Sequence, residues 1–307
     1  MRVTAIFLLV TAHVSQEIGS AMGGYFGIKN FFYVSLGGIA VSIFLFISGA
    51  GLAMSRSNQR SGYLNFIVRR ILRIYPVYYM CLVGMAIYLT LISLRVTGAV
   101  GLQAAGFQKA DAILALTGFY AFAGKWGGPV LATSWFVGLI MTFYFIYPFL
   151  ANAVRRNPHL AISIILLASI AARLVLGRYD ILPNRPLDWF PLCRLFEFSS
   201  GIYIATVVRP QVLSGSNFRY PEWMRKIVRY ASELSFPLFL VHYPLLHLVP
   251  AFTSRGIGVA ASVLVYLFAS FVLSWIVFII DRRIPRESIL EKVDHGFLAG
   301  RRKSASA

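Results

Sequence analysis

Long apolar runs, rather than alternating or amphipathic ones, dominate the chain. Lys29–Met54, Ile74–Leu94, Leu131–Val154 and Ile257–Ile280 each approach or exceed the roughly 20 apolar residues a helix needs to cross a bilayer. Shorter or more polar runs at His159–Leu176, Phe190–Val208 and Leu234–Val249 extend the series, and Met1–His13 begins it. Lipid offers the backbone no hydrogen-bond partners, and the runs lack the alternation of barrel strands. The pattern therefore predicts an all-α fold, a polytopic transmembrane helical bundle. The dozen apolar residues of Ala112–Ala123 are short for a crossing and long for a loop. They read as re-entrant or interfacial, or as one of two weak crossings between Val96 and Trp126. The expected number of membrane helices is even, eight to ten.

Charge orients the bundle. A net charge of +18 on a chain with only 13% charged residues would suggest nucleic acid in a soluble protein. Here the basic residues gather between the apolar runs. Five basic residues and no acid lie in Ser55–Arg73, five against one acid in Arg209–Arg229, and seven against four in Asp281–Lys303. Such clusters mark cytoplasmic loops, so both termini are expected in the cytoplasm and every large cluster falls inside. Contact with acidic lipid headgroups follows, and nucleic-acid binding does not.

No internal repeat or low-complexity tract divides the chain. Residues 1–280 read as one transmembrane domain and 281–307 as a basic cytoplasmic tail, with Ser214–Tyr220 a polar link and Arg301–Ala307 a frayed end. The first run has no small-residue cleavage site of a signal peptide. Cys81 and Cys193 stand alone in apolar surroundings, with no metal spacing or disulfide framework, and read as packing residues. No metal is expected.

Polar residues inside the apolar runs are the candidate chemistry. Arg2 and His13 are eleven positions apart, which returns to nearly the same helix face about 16 Å along the axis. Arg2 reads either as a topology anchor or as the grip on one end of a long ligand. His13 reads either as an interfacial residue or as the group at that ligand's reactive end. Glu17, one turn on, stands where a carboxylate can orient an imidazole. Arg70 and Arg73 are three apart at the mouth of the third span and suit a polyanion, or serve only the positive-inside bias. Arg194 and Glu197 are helical neighbours, either a structural clasp or catalytic. His242 lies between Pro237 and Pro244, where it either satisfies a carbonyl that proline frees or takes part in the site.

Taken in order, these segments resemble the acyltransferase 3 family of membrane acyltransferases. Arg2 and His13 have its arginine, ten residues, histidine spacing. SIFLFISGAGL (Ser42–Leu52) resembles its phenylalanine-rich segment ending in Ser-Gly, and RRILRIYPVYY (Arg69–Tyr79) its basic block leading into Arg-x-x-Pro. SWFVGLIMTFYFIYP (Ser134–Pro148) keeps its tryptophan, here Trp135, its Phe-Tyr pair and closing proline. RLFEFSSG (Arg194–Gly201) and LSFPLFLVHYP (Leu234–Pro244) are similar to two late blocks. No one block is specific; six in family order over about residues 1 to 280 are.

The resemblance implies transfer of an acyl group, commonly acetyl from cytoplasmic acetyl-CoA, to a hydroxyl of a cell-envelope glycan or lipid-linked sugar, in a multi-pass protein of the cytoplasmic membrane. It carries over Arg2 and His13 as the functional pair, and Arg70, Arg73 and Glu197 as further block positions. His13 then acts as general base or as transient acyl carrier. Ser48 either bonds near the thioester or belongs to a small Ser-Gly packing pair. The chain departs from the family at the acid often found about five residues after the tryptophan, where Ile140 and Met141 stand. Glu17 and Glu197 are the candidate replacements. The rival readings are a proton-coupled transporter or flippase of a glycan or acyl donor, and a non-catalytic membrane subunit. Consumption of acetyl-CoA separates the enzyme from both.

Overall fold

The computed structural model describes residues 2–21, 36–55, 62–96, 111–125, 130–179, 181–182, 185–208 and 221–291. All regular structure among them is helical. In chain order the helices are α1 (Arg2–Ala21), α2 (Leu36–Met54), α3 (Tyr63–Val96), the short α4 (Asp111–Thr117), α5 (Trp135–Arg156), α6 (Pro158–Arg178), the single turn α7 (Pro186–Trp189), α8 (Pro191–Tyr203), α9 (Glu222–Leu245), α10 (Leu248–Thr253) and α11 (Val259–Asp281). Among the described residues five segments are long and apolar enough to cross a membrane: Leu36–Met54, Tyr63–Leu91, Ala132–Arg156, Pro158–Arg178 and Val259–Asp281. The protein is a polytopic helical bundle. The remaining long helices, α1, α8 and α9, carry the polar residues singled out above. The start of the Lys29–Met54 run, the Ser214–Tyr220 link and the Arg301–Ala307 end lie outside the described residues.

One expectation needs correcting. The third helix does not start at Ile74 after a basic loop; it starts at Tyr63 and takes Arg69, Arg70 and Arg73 into its body. The reason is periodicity: Phe66, Ile74, Val77, Cys81 and Met85 are all buried and form one stripe, which continues upstream of the apolar run. Ala112–Ala123, for which the sequence left re-entrant, interfacial and weak-crossing readings open, holds most of the seven-residue α4 and a 3₁₀ turn at Ala121–Ala123. The last carbonyls of α4 have no helical partner. Three tyrosines of α3 supply one: Tyr78 donates to Ala115 O, Tyr79 to Leu116 O at 2.8 Å and Tyr75 to Thr117 O at 2.9 Å. These bonds dock α4 against the middle of α3. Its first residue, Asp111, is buried and paired with Lys125.

Helix α2 packs against both α1 and α8, while α9 joins α1 to α11. The α2–α8 contact is backbone to backbone. A Cβ on Gly49 would lie 3.1 Å from the Phe198 carbonyl carbon, and one on Gly201 would lie 2.9 Å from Ala50 N. Small residues at crossing points allow such an approach in membrane bundles. Helix α5 runs against α3, α6 and α8, and Phe143 stacks on Phe198 with ring centroids 4.9 Å apart.

Prolines within the helices leave carbonyls to be satisfied. Pro76 frees Leu72 O, which accepts from Arg286 Nε at 2.9 Å. Pro244 frees Leu240 O, which accepts from the buried Thr133 hydroxyl at 2.9 Å. The first bond ties the segment after α11 to α3. The second ties α9 to the turn that opens α5.

Candidate active site

Where α1, α3, α5, α9 and α11 converge lies a cavity of about 870 Å³. Its mouth holds Arg2, Arg73, Arg229, Arg282 and Arg286, together with Glu233, Asp281, Glu287 and Glu291. Its deeper wall is Phe44, Val77, Phe136, Ile140 and Phe239, with Ser48 and Tyr144 as a polar step. The arginines differ in what holds them. Arg229 pairs with Glu233 at 3.1 Å, and Arg286 pairs with Asp281. Arg282 lies on the rings of Tyr230 and Phe278, each centroid 5.5 Å from its guanidinium carbon. Arg2 and Arg73 form no salt bridge among the described residues. Two guanidinium groups that line one cavity and are in no salt bridge among the described residues can meet a ligand's anionic end.

The deep end closes on an aromatic layer. Phe136 and Phe239 have ring centroids 4.8 Å apart, and Phe44 is 5.7 Å from Phe239. Just behind Phe239, at 6.1 Å, lies the ring of His242, fully buried on α9. His13 faces His242 from α1 at 5.4 Å and meets Tyr243 edge-on at 4.9 Å. The helix that starts at the arginine mouth therefore passes a histidine pair at His13, one ring layer beyond the cavity. Ser48 Oγ is 3.0 Å from the Tyr144 hydroxyl, on the cavity side of that layer.

The profile of a family described as an acyltransferase domain, acyltransferase 3, matches residues 1–217. The chain belongs to the acyltransferase 3 family. No curated protein and no solved structure matches the chain at a significant level.

Within this family member, Arg2, Arg73 and Ser48 line the cavity, whereas His13 and His242 form the pair behind it. Arg70 does not line it. The buried stripe of α3 runs Phe66, Arg70, Ile74, Val77, so the Arg70 guanidinium turns inward over Phe66 at 5.5 Å and Tyr144 at 5.9 Å, behind the wall that Tyr144 presents. Gln16, not Glu17, holds His13: Gln16 Oε1 is 3.2 Å from Nδ1, because i+3 on this helix reaches the ring edge. Trp135 opens α5, half-buried and edge-on to Phe136 at 5.9 Å, which supports the cavity wall without entering it.

Glu197 sits in a clasp of charged groups. Arg173 Nη2 lies 2.9 Å and Arg194 Nη1 3.3 Å from the same carboxylate oxygen, and Ser42 donates to it at 3.4 Å. Arg194, itself buried, also holds Asp188 at 2.9 Å, and Arg173 Nε donates to Cys193 O. The network joins α2, α6, α7 and α8, and two arginines face the one carboxylate. Glu197→Gln removes the charge that both arginines face. Expected is a loss of stability on the order of 3 kcal/mol, seen as a lower melting temperature, with kcat/KM of the folded protein within about twofold of wild type.

Several site groups lay outside the sequence reading. Gln16 and Tyr144 gave no signal of their own. Thr133 and Arg286 answer carbonyls that the positions of Pro244 and Pro76 already announce. Residues 282–291, read from sequence as tail, form part of the cavity wall. Cys81 and Cys193 are buried and free, and no cluster of metal-ligating side chains occurs among the described residues.

Proposed function

We propose that this multi-pass membrane protein transfers an acyl group, acetyl by preference, from cytoplasmic acyl-CoA to a hydroxyl of a cell-envelope glycan or its lipid-linked precursor. The observation that carries this reading is that Arg2 and Arg73, neither in a salt bridge among the described residues, line one cavity, with His13 eleven positions along α1 from Arg2. The residues present fit such a donor. Guanidinium groups suit its phosphates, the apolar wall suits its pantetheine arm, and Ser48 with Tyr144 offers a hydroxyl pair midway. When bound, the donor supplies an activated thioester. The chain's own residues hold its anionic end, exclude water and bring a histidine to the acyl carbon. The ring layer of Phe44, Phe136 and Phe239 lies between the cavity and His13, so side-chain rotation there accompanies each turnover.

In this reading the arginine mouth, the basic α3 segment and both termini face the cytoplasm of a cell with the protein in its inner membrane, and eight long helices cross. No nucleic acid takes part; membrane lipids surround the bundle. Acetyl-CoA labelled in the acetyl group, supplied to membranes with a crude envelope-glycan acceptor, tests the proposal. Wild type moves label to glycan and releases coenzyme A. Arg73→Ala and Arg2→Ala each raise the donor KM by about tenfold or more, the worth of one charge-assisted phosphate contact, with little change in kcat. No donor-dependent transfer and no donor binding by wild type would return the protein to the transporter or subunit readings.

A further inference from the structure

We propose that His242 is a second catalytic residue, the base that takes the proton of the acceptor hydroxyl, and that His13 carries the acyl group. The inference rests on the acyltransferase reading above and divides its chemistry between two side chains.

His242 is oriented as a base. Its Nδ1 lies 2.8 Å from Phe239 O and 3.1 Å from Leu238 O. A carbonyl only accepts, so Nδ1 carries the hydrogen and the lone pair sits on Nε2. These bonds do not repair the gap left by Pro244, because that gap is at Leu240 O and Thr133 fills it. They fix the tautomer and turn Nε2 away from its own helix. Nε2 is buried and has no hydrogen-bond partner among the described residues. A bare acceptor in such surroundings is costly, and a phenylalanine would fill the volume without that cost. The neighbour across the gap is His13, whose Nδ1 is in turn held by Gln16 Oε1. With that oxygen accepting, His13 also presents its lone pair on Nε2. Two neutral imidazoles thus stand face to face, tilted by 36°, each anchored through Nδ1.

That arrangement suits a two-step transfer. His13 Nε2 attacks the thioester carbonyl; the C–N bond forms, the C–S bond breaks, and sulfur departs as thiolate. The acceptor hydroxyl then attacks the acyl carbon. As C–O forms and C–N breaks, its proton passes to His242 Nε2. That proton is returned to the thiolate, giving the free thiol and two neutral imidazoles. His13 is assigned the carrier because its helix begins at the donor cavity. His242, doubly tethered and fully buried, is assigned the base.

The test uses full-length protein in phosphatidylcholine nanodiscs with acetyl-labelled acetyl-CoA, with and without an envelope-glycan extract. In His242→Asn the amide N–H replaces Nδ1–H toward Phe239 O, while nothing replaces Nε2. Expected is a burst of about one equivalent of coenzyme A, label retained on the protein, and transfer to glycan slowed at least about 100-fold. His13→Ala retains no label. His242→Gln, with an unchanged melting temperature as the control for folding, should behave like the asparagine variant. Transfer at the wild-type rate by either His242 variant overturns the proposal. So does a folded variant that binds acetyl-CoA yet shows neither burst nor retained label, since His242 would then act before acylation. Wild type that neither binds nor cleaves acetyl-CoA overturns the acyltransferase reading, and this inference with it.

Discussion

Membranes carrying the His13→Ala protein at the wild-type level transfer labelled acetyl to glycan at least about 100-fold more slowly, while acetyl-CoA binds with near-normal affinity. The separation of the two effects follows from geometry. His13 stands eleven positions along α1 from Arg2, about 16 Å along the axis, and the aromatic layer stands between His13 and the cavity that Arg2 lines. Removing the imidazole leaves both arginines and the cavity wall untouched. A group that acts on the reacting carbon lowers kcat and kcat/KM together, whereas a group that grips the donor raises KM. Arg73→Ala and His13→Ala should therefore have opposite signatures. Label transfer against donor concentration, paired with equilibrium binding, reads both. The comparison also has a structural control, because His13 packs on His242 and Tyr243. Alanine opens a small space at that interface, so the melting temperature of the variant is measured alongside. A loss of transfer with an unchanged melting temperature places His13 in the chemistry. Equal transfer by the two proteins moves the chemistry elsewhere in the bundle.

Most of the bundle was legible because lipid imposes one rule, that backbone polar groups pair within the helix, and long apolar runs then have a single solution. What escaped is the boundary of α3 and the nature of Ala112–Ala123. Hydropathy alone sees Arg69–Arg73 as an interruption, whereas the stripe from Phe66 to Met85 passes through it. The site was half legible. Arg2 and His13 share one helix, so their common face and separation follow from 3.6 residues per turn. Arg70 and Arg73 share a helix too, yet the buried stripe claims the first and leaves the second exposed at the cavity. Spacing pointed to Glu17 as the partner of His13, whereas Gln16, one residue earlier on the same turn, is the side chain that meets the ring. Glu197 was placed correctly beside Arg194. Its second arginine, Arg173, comes from α6, a long-range contact that no local pattern announces. The far wall of the cavity has the same origin: residues 229–291 meet Arg2 and Arg73 only in three dimensions.

Gly201→Ala should be among the most damaging added methyls at the described glycines. At the α2–α8 crossing the added Cβ would fall inside van der Waals contact of the Phe46 carbonyl oxygen and only 2.9 Å from Ala50 N. Both obstacles are backbone, so no side-chain rotation relieves them, and the helices must part by about 1 Å or more. Gly49 faces Phe198 in the same way, 3.1 Å from its carbonyl carbon, so the two glycines form a reciprocal pair with no slack on either side. Parting the helices also stretches what spans them. Ser42 on α2 reaches the Arg194–Glu197 pair on α8 at 3.2 Å and 3.4 Å, and the Ser48–Tyr144 bond depends on where α2 stands. Overpacking costs typically about 1–3 kcal/mol where side chains give way, and more where backbone must move. We therefore expect Gly201→Ala to lower the melting temperature of the purified protein well beyond Glu197→Gln, and to reduce the yield of monodisperse protein in detergent. Gly51 lies on the same helix and has open space around its Cβ position, so Gly51→Ala should be tolerated. Equal melting temperatures for Gly201→Ala and Gly51→Ala would show that the α2–α8 crossing is not the fixed contact that positions Ser48 and the clasp.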